Sequence, residues 1–178
     1  MSAVTCGSCL QRTPAFDGIL TPYLYQPPVS NLIVALKYRH RLAAGRTLGQ
    51  LLAGHVAKVA TPLPELIIPV PLHPRRLRER GFNQASELAR SITRELAVPL
   101  SPESLQRIKR TTAQAGLKRR QRLRNLADAF AYHEGTPRKH VAIVDDVVTT
   151  GATAEALARI LKRAGIARVD VWAVARTP

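Results

Sequence analysis

The C-terminal part of the sequence alternates apolar runs with a helical repeat, and this pattern constrains the fold more than any other feature. Residues 140–144 form an apolar run that is typical of a strand buried on both faces. Residues 153–164 carry apolar side chains at helical spacing, and residues 168–175 form a second apolar run. Because a strand, a helix and a strand joined by short turns make a right-handed parallel crossover, we predict an α/β fold with a mostly parallel, twisted sheet flanked by helices.

Weaker patterns upstream predict the remaining elements. They indicate a short strand around Tyr23 and Tyr25, helices over residues 29–38, 47–60 and 84–96, a buried strand over residues 66–70, a proline-marked loop over residues 71–81 and an edge strand over residues 129–132. A length of 178 residues suits one domain with a short appendage. We assign residues 18–178 to the domain and residues 1–17 to the appendage.

The charge of the chain is strongly unbalanced. There are 27 Lys and Arg against 12 Asp and Glu, and the net charge of +15 favours an anionic partner. Residues 18–64 and 104–127 contain no acid, so each stretch is either a solvated surface or a surface that faces phosphates. Aromatic residues make up only 4%, which leaves few rings for base stacking. The candidate contacts to single-stranded DNA are Lys37, Arg39, Arg41, Lys118, Arg119, Arg120, Arg122 and Arg124.

The N-terminus carries no targeting segment, and no stretch of the sequence is long and apolar enough to span a bilayer. We therefore expect a soluble, cytoplasmic protein without membrane insertion. The two cysteines, Cys6 and Cys9, are too close together to staple a fold, which agrees with a reducing compartment.

Acidic and hydroxyl side chains follow the first C-terminal strand, where ligands of open parallel sheets bind. Three threonine hydroxyls, a glycine and the start of a helix suit one phosphate group. Asp145 and Asp146 could accept hydrogen bonds from sugar hydroxyls and help to hold Mg²⁺, in part through water. A plain turn followed by a helix cap is the alternative. The candidate binding residues are Val147, Val148, Thr149, Thr150, Gly151, Ala152 and Thr153.

The string from Val141 to Thr153, VAIVDDVVTTGAT, closely resembles the ribose-5-phosphate loop of type I phosphoribosyltransferases, which use phosphoribosyl pyrophosphate (PRPP). The resemblance implies a type I phosphoribosyltransferase-like fold with a hood over the site. It also implies PRPP or ribose-5-phosphate as ligand, Mg²⁺ as cofactor, and Asp145 and Asp146 as catalytic residues.

Further motifs are similar to those of the ComF/GntX family, which is linked with natural competence and the use of external DNA. They are LKYR at residues 36–39, PVPLHPRR at residues 69–76 continuing to RGFNQ at residues 80–84, and QxxL at residues 114–117 with RN and AF further on. The resemblance implies that residues 72–76 meet the pyrophosphate and that residues 107–124 belong to the hood. The corresponding candidates are Leu72, His73, Arg75, Arg76, Lys109 and Arg110.

Proteins of this family carry an N-terminal zinc module of Cys-x-x-Cys pairs, whereas this sequence has the single pair Cys6 and Cys9. A structural zinc site needs four ligands, so we expect two free thiols on residues 1–17, the remnant of a module that was lost or truncated. A metal shared between two chains is the alternative. Two functions remain open: phosphoribosyl transfer to an unknown acceptor, and DNA binding on a PRPP-binding fold without catalysis. A homodimer and a partner from the competence machinery are both compatible with the sequence.

Overall fold

The computed structural model describes residues 13–109, 129–133 and 138–177. Its strands are β1 (Gly18–Leu20), β2 (Tyr23–Leu24), β3 (Leu66–Pro69), β4 (Leu105–Arg107), β5 (Phe130–Tyr132), β6 (His140–Val148) and β7 (Arg168–Arg176). Its helices are α1 (Val29–Arg39), α2 (Leu42–Val59), α3 (Pro74–Arg80), α4 (Gln84–Leu96) and α5 (Ala152–Arg163).

Five of the described strands form one parallel sheet in the order β1, β7, β6, β3, with β2 also paired to β7. The central pair, β6 and β7, is in register from His140 opposite Arg168 to Val148 opposite Arg176. β4 and β5 pair antiparallel in a separate two-stranded sheet. The predicted α/β fold with a mostly parallel sheet is therefore confirmed.

Two apolar cores cover the two faces of this sheet, because successive side chains of a strand point to opposite faces. In β6, Ala142 and Val144 belong to the core formed with α1, α2 and α4, while Val141 and Ile143 belong to the core formed with α5. The first core is centred on Trp172, Ile33, Leu48, Leu52, Leu88 and Ile92. The sheet is thus flanked by helices on both sides, as predicted.

The described end of the N-terminal appendage is bonded to the domain. The Asp17 amide donates to the Val169 carbonyl over 2.8 Å, and the Val169 amide donates to Asp17 Oδ2 over 2.7 Å. Lys162 Nζ lies 2.7 Å from the same carboxylate oxygen. These bonds continue the pairing of β1 with β7.

Two local predictions were wrong, at residues 74–80 and at Asp145 and Asp146, and a third was confirmed. Residues 74–80 form helix α3 instead of a loop, because Pro74 fits the first helical position and His73 Nδ1 accepts a hydrogen bond from the Arg75 amide. The edge strand predicted over residues 129–132 is confirmed as β5, which pairs with β4 in the two-stranded sheet. β6 runs to Val148, so Asp145 and Asp146 belong to a strand rather than to a loop.

No helix within the described ranges is both long and apolar enough to cross a membrane.

Candidate functional site

A cavity of about 50 Å³ lies at the carboxyl end of β6. That volume is several times what a single water molecule requires. Its walls are the loop after β6, the first turn of α5 and the strand ends around Asp145: Val70, Ile143, Asp145, Val147, Val148, Thr149, Thr150, Gly151, Ala152, Thr153, Ala154 and Val171. All seven residues predicted for the phosphate loop, 147–153, therefore line one cavity.

Gly151 makes the turn from β6 into α5. Its φ of 71° lies in the left-handed region that residues with a Cβ adopt only at a cost. A Cβ built on Gly151 would meet no atom within 4 Å. The glycine is therefore required by the backbone conformation and not by lack of space.

The first turn of α5 supplies amides to the cavity. The first helical hydrogen bond runs from the Glu155 amide to the Gly151 carbonyl, over 2.8 Å. The amides before Glu155 have no acceptor within the helix, and the positive end of the helix dipole lies at the same place. The Glu155 carboxylate is engaged elsewhere, since it accepts from the Ala15 amide and from Arg159, at 2.8 and 2.7 Å. This end of α5 can accordingly hold one phosphate group.

Asp145 and Asp146 lie on opposite faces of the sheet, because both belong to β6 and side chains of a strand alternate. Asp145 follows Ile143 on the α5 face and lines the cavity. Asp146 follows Val144 on the other face and is buried. Asp145 Oδ1 nevertheless accepts a hydrogen bond from the Asp146 amide over 2.8 Å, and the two carboxyl groups are hydrogen-bonded to each other.

Asp146 is held between α1 and α4. Its Oδ2 forms an ion pair with Lys37 Nζ, and its side chain is only 4% exposed. Gln84 Nε2 lies 3.5 Å from Asp146 Oδ1, and Gln84 Oε1 accepts a hydrogen bond from Arg80 over 2.6 Å. Asp146 thus ties two helices to the central strand beneath the cavity.

Asp145 is the acid that faces the cavity. Burial and the charge of neighbouring Asp146 raise the pKa of the Asp145 carboxyl well above its usual range. No group of three or more His, Cys, Asp or Glu side chains within the described ranges could hold a metal ion by itself. One carboxylate beside hydroxyl groups fits Mg²⁺ when a phosphorylated ligand and water supply the other oxygens. Asp146 does not fit that role, because Lys37 already neutralises it.

The residues predicted to meet the pyrophosphate, 72–76, lie apart from the cavity. His73 caps α3, and Arg75 Nε binds Glu79 Oε1 of the same helix at 2.9 Å. Leu72 lines a second, larger cleft of about 500 Å³, between α3, α4 and β4. Arg76 is exposed. The pKa of Arg107 is lowered mainly by burial and in addition by the charge of Arg76. None of these four predicted residues, 72, 73, 75 and 76, lines the cavity.

Comparison with known proteins identifies the family, although no family model matches the chain. It is 41% identical over 180 residues to DNA utilization protein YhgH of Shigella flexneri, covering 99% of this chain and 79% of that protein. It is 36% identical to Competence protein F of Haemophilus influenzae, over 96% of this chain and 78% of that protein. The chain belongs to the ComF family. A more distant member, Competence protein ComFC of Bacillus subtilis, is 26% identical over 90% of this chain and 67% of that protein.

In this ComF-family chain, three of the predicted nucleic-acid contacts lie in α1 or just after it. Arg39 and Arg41 are exposed near the end of α1, whereas Lys37 is turned to Asp146. Lys109, which was predicted to bind the substrate, is exposed just after β4. The remaining predicted residues lie outside the described ranges: Cys6, Cys9, Arg110, Lys118, Arg119, Arg120, Arg122 and Arg124.

The sequence did not predict that Lys37 and Gln84 contact Asp146 next to the cavity. The sequence does indicate that the strand includes Asp145 and Asp146, since Val147 and Val148 continue the apolar run beyond the two acids. A strand continued through them places adjacent acids on opposite faces. The partners of Asp146 come from two distant helices, and no local pattern predicts such contacts.

Proposed function

We propose that this ComF-family protein binds PRPP together with Mg²⁺ in the cavity at the end of β6 and transfers the phosphoribosyl group to an acceptor. The observation that carries the proposal is the single cavity formed by residues 147–153 with the Asp145 carboxylate on its wall. Anionic phosphate fits the amides of α5, and ribose hydroxyls fit an acceptor-only carboxylate.

Each group at the cavity has a task in this reaction. The loop at residues 149–153 and the amides of α5 bind the 5-phosphate and fix the position of the ribose. Asp145 accepts hydrogen bonds from ribose hydroxyls and stabilises positive charge that develops on the ring. Mg²⁺, held by Asp145 directly or through water, would neutralise the departing pyrophosphate.

The transfer breaks the bond between ribose C1 and the pyrophosphate oxygen and forms a bond between C1 and a nucleophilic atom of the acceptor. The electron pair of the broken bond leaves with pyrophosphate, and the acceptor releases its proton. The two relatives named for DNA utilization and competence suggest that the reaction serves the use of external DNA.

Titration calorimetry of the full chain with PRPP in the presence of Mg²⁺ tests this function. We expect saturable binding and a loss of at least about tenfold in affinity for Asp145→Asn, which is about 1.4 kcal/mol. Glu95→Gln removes the same charge from an exposed position on α4 and should leave the affinity unchanged. Absence of binding to the wild-type chain, or equal affinity of the Asp145→Asn variant, would refute the proposal.

The second candidate function is binding of single-stranded DNA, with or without phosphoribosyl transfer. It is favoured by exposed Arg39 and Arg41 on a stretch, residues 18–64, without any acid. Phosphate contacts of this kind release counterions, so the affinity should fall steeply as salt is added. A salt-independent affinity, measured by fluorescence anisotropy, would exclude it.

A further inference from the structure

Rings and guanidinium groups come together where the end of α1 meets the end of α3. The guanidinium carbon of Arg80 lies 5.7 Å from the centre of the Tyr38 ring. The rings of His40 and Phe82 meet edge to face, with centres 5.8 Å apart and an angle of 70°. We call this surface the Tyr38 patch; it consists of Tyr38, Arg39, His40, Arg41, Arg80 and Phe82.

Tyr38 offers an aromatic face to solvent. Its exposed fraction is 67%, although the chain has only four Tyr, three Phe and one Trp. Arg80 is positioned against the ring and is itself held by Gln84 Oε1 at 2.6 Å. A ring that is fixed before binding loses little conformational freedom when a flat partner stacks on it.

The patch is also positively charged. Arg39 and Arg41 are exposed and lie within three residues of Tyr38 in the chain. The acid next to Arg80 in the chain is Glu79, and its carboxylate binds Arg75 of the same helix. An approaching ligand therefore meets an aromatic face surrounded by cations.

We propose that the Tyr38 patch binds single-stranded nucleic acid, with one base stacked on Tyr38 and the flanking phosphates on Arg39 and Arg41. Every base has a face that can stack on an aromatic ring, and Arg adds a cation–π contribution. Bases of a duplex are already stacked on each other, so the ring favours single strands. This inference builds on the second candidate function and names its contact residues.

Anisotropy measurements with two labelled oligomers of equal length, oligo-dT and an abasic strand with the same phosphates, test this inference on the full chain. Wild-type protein should bind oligo-dT more tightly than the abasic strand or a duplex. Tyr38→Ala should lower the affinity for oligo-dT about tenfold and leave the abasic strand unaffected, because only stacking is lost. Arg39→Ala should weaken binding of both strands, and Arg163→Ala, at an exposed position on α5, should weaken binding of neither.

The inference would be overturned if wild type and Tyr38→Ala bound oligo-dT with equal affinity, or if wild type bound both strands equally. It would also be overturned if Tyr38→Ala lowered the affinity for duplex DNA as much as the affinity for oligo-dT. Since 67% of Tyr38 is exposed, the variant should fold and bind PRPP like wild type. Failure of PRPP binding in the wild type would refute the enzyme proposal and leave Tyr38-dependent DNA binding intact, so the two failures are distinguishable.

Discussion

Lys37 of α1 forms an ion pair with Asp146 of β6, directly beneath the strand end that carries the cavity. The Lys37 side chain is 21% exposed and the Asp146 side chain 4% exposed, so water screens this pair poorly. The pair links the basic end of α1 to the central strand.

Lys37→Met should destabilise the chain by about 3 kcal/mol, because it leaves the Asp146 carboxylate buried without its cation. Lys37→Met combined with Asp146→Asn should recover most of that loss, since no charge then remains buried. Urea unfolding measures both changes. Lys162→Met, which breaks the more exposed pair with Asp17, serves as the control and should cost less than about 1 kcal/mol. Equal stability of Lys37→Met and wild type would contradict the buried-charge interpretation.

Asp145→Asn should become more stable relative to wild type as the pH rises. The raised pKa means that folded Asp145 keeps its proton at pH values above 3.8, where the unfolded chain has released it. The contribution of Asp145 to wild-type stability therefore falls as the pH rises above 3.8, and the Asn variant escapes that loss. Urea unfolding at several values between about pH 4 and about pH 7 checks the trend. A difference that stays constant or reverses with pH would show that Asp145 is not electrostatically strained.

Gly151→Ala and Gly54→Ala should change stability in opposite directions. Ala at Gly151 must adopt a positive φ, which costs about 1 kcal/mol or slightly more. Gly54 is exposed within α2, and a Cβ there would meet nothing within 4 Å, so Ala should stabilise the helix by about 0.5–1 kcal/mol. Chemical denaturation gives both values. Stabilisation by Gly151→Ala would contradict the left-handed turn at the cavity.

The sequence predicted the crossover from β6 through α5 to β7 because each of its signals is local. The apolar runs at residues 140–144 and 168–175 and the helical repeat between them need no information from distant residues. The loop that lines the cavity could be picked out for the same reason, since its residues follow one another in the chain.

The partners within the site could not be predicted in the same way. Lys37 and Gln84 reach Asp146 only after α1 and α4 have packed on the sheet. Their sequence environments look like ordinary helix surface and helix start. The ring contact of Arg80 with Tyr38 likewise depends on how the end of α1 packs against α3.

Hydrogen–deuterium exchange with and without PRPP and Mg²⁺ tests the location of the ligand most directly. The account predicts slower exchange of the amides at residues 149–154, because the phosphate would accept hydrogen bonds from the loop and the first turn of α5. Amides in the middle of α2 should exchange at the same rate with and without the ligand. Unchanged exchange at residues 149–154, with protection confined to the larger cleft beside Leu72, would contradict the central claim.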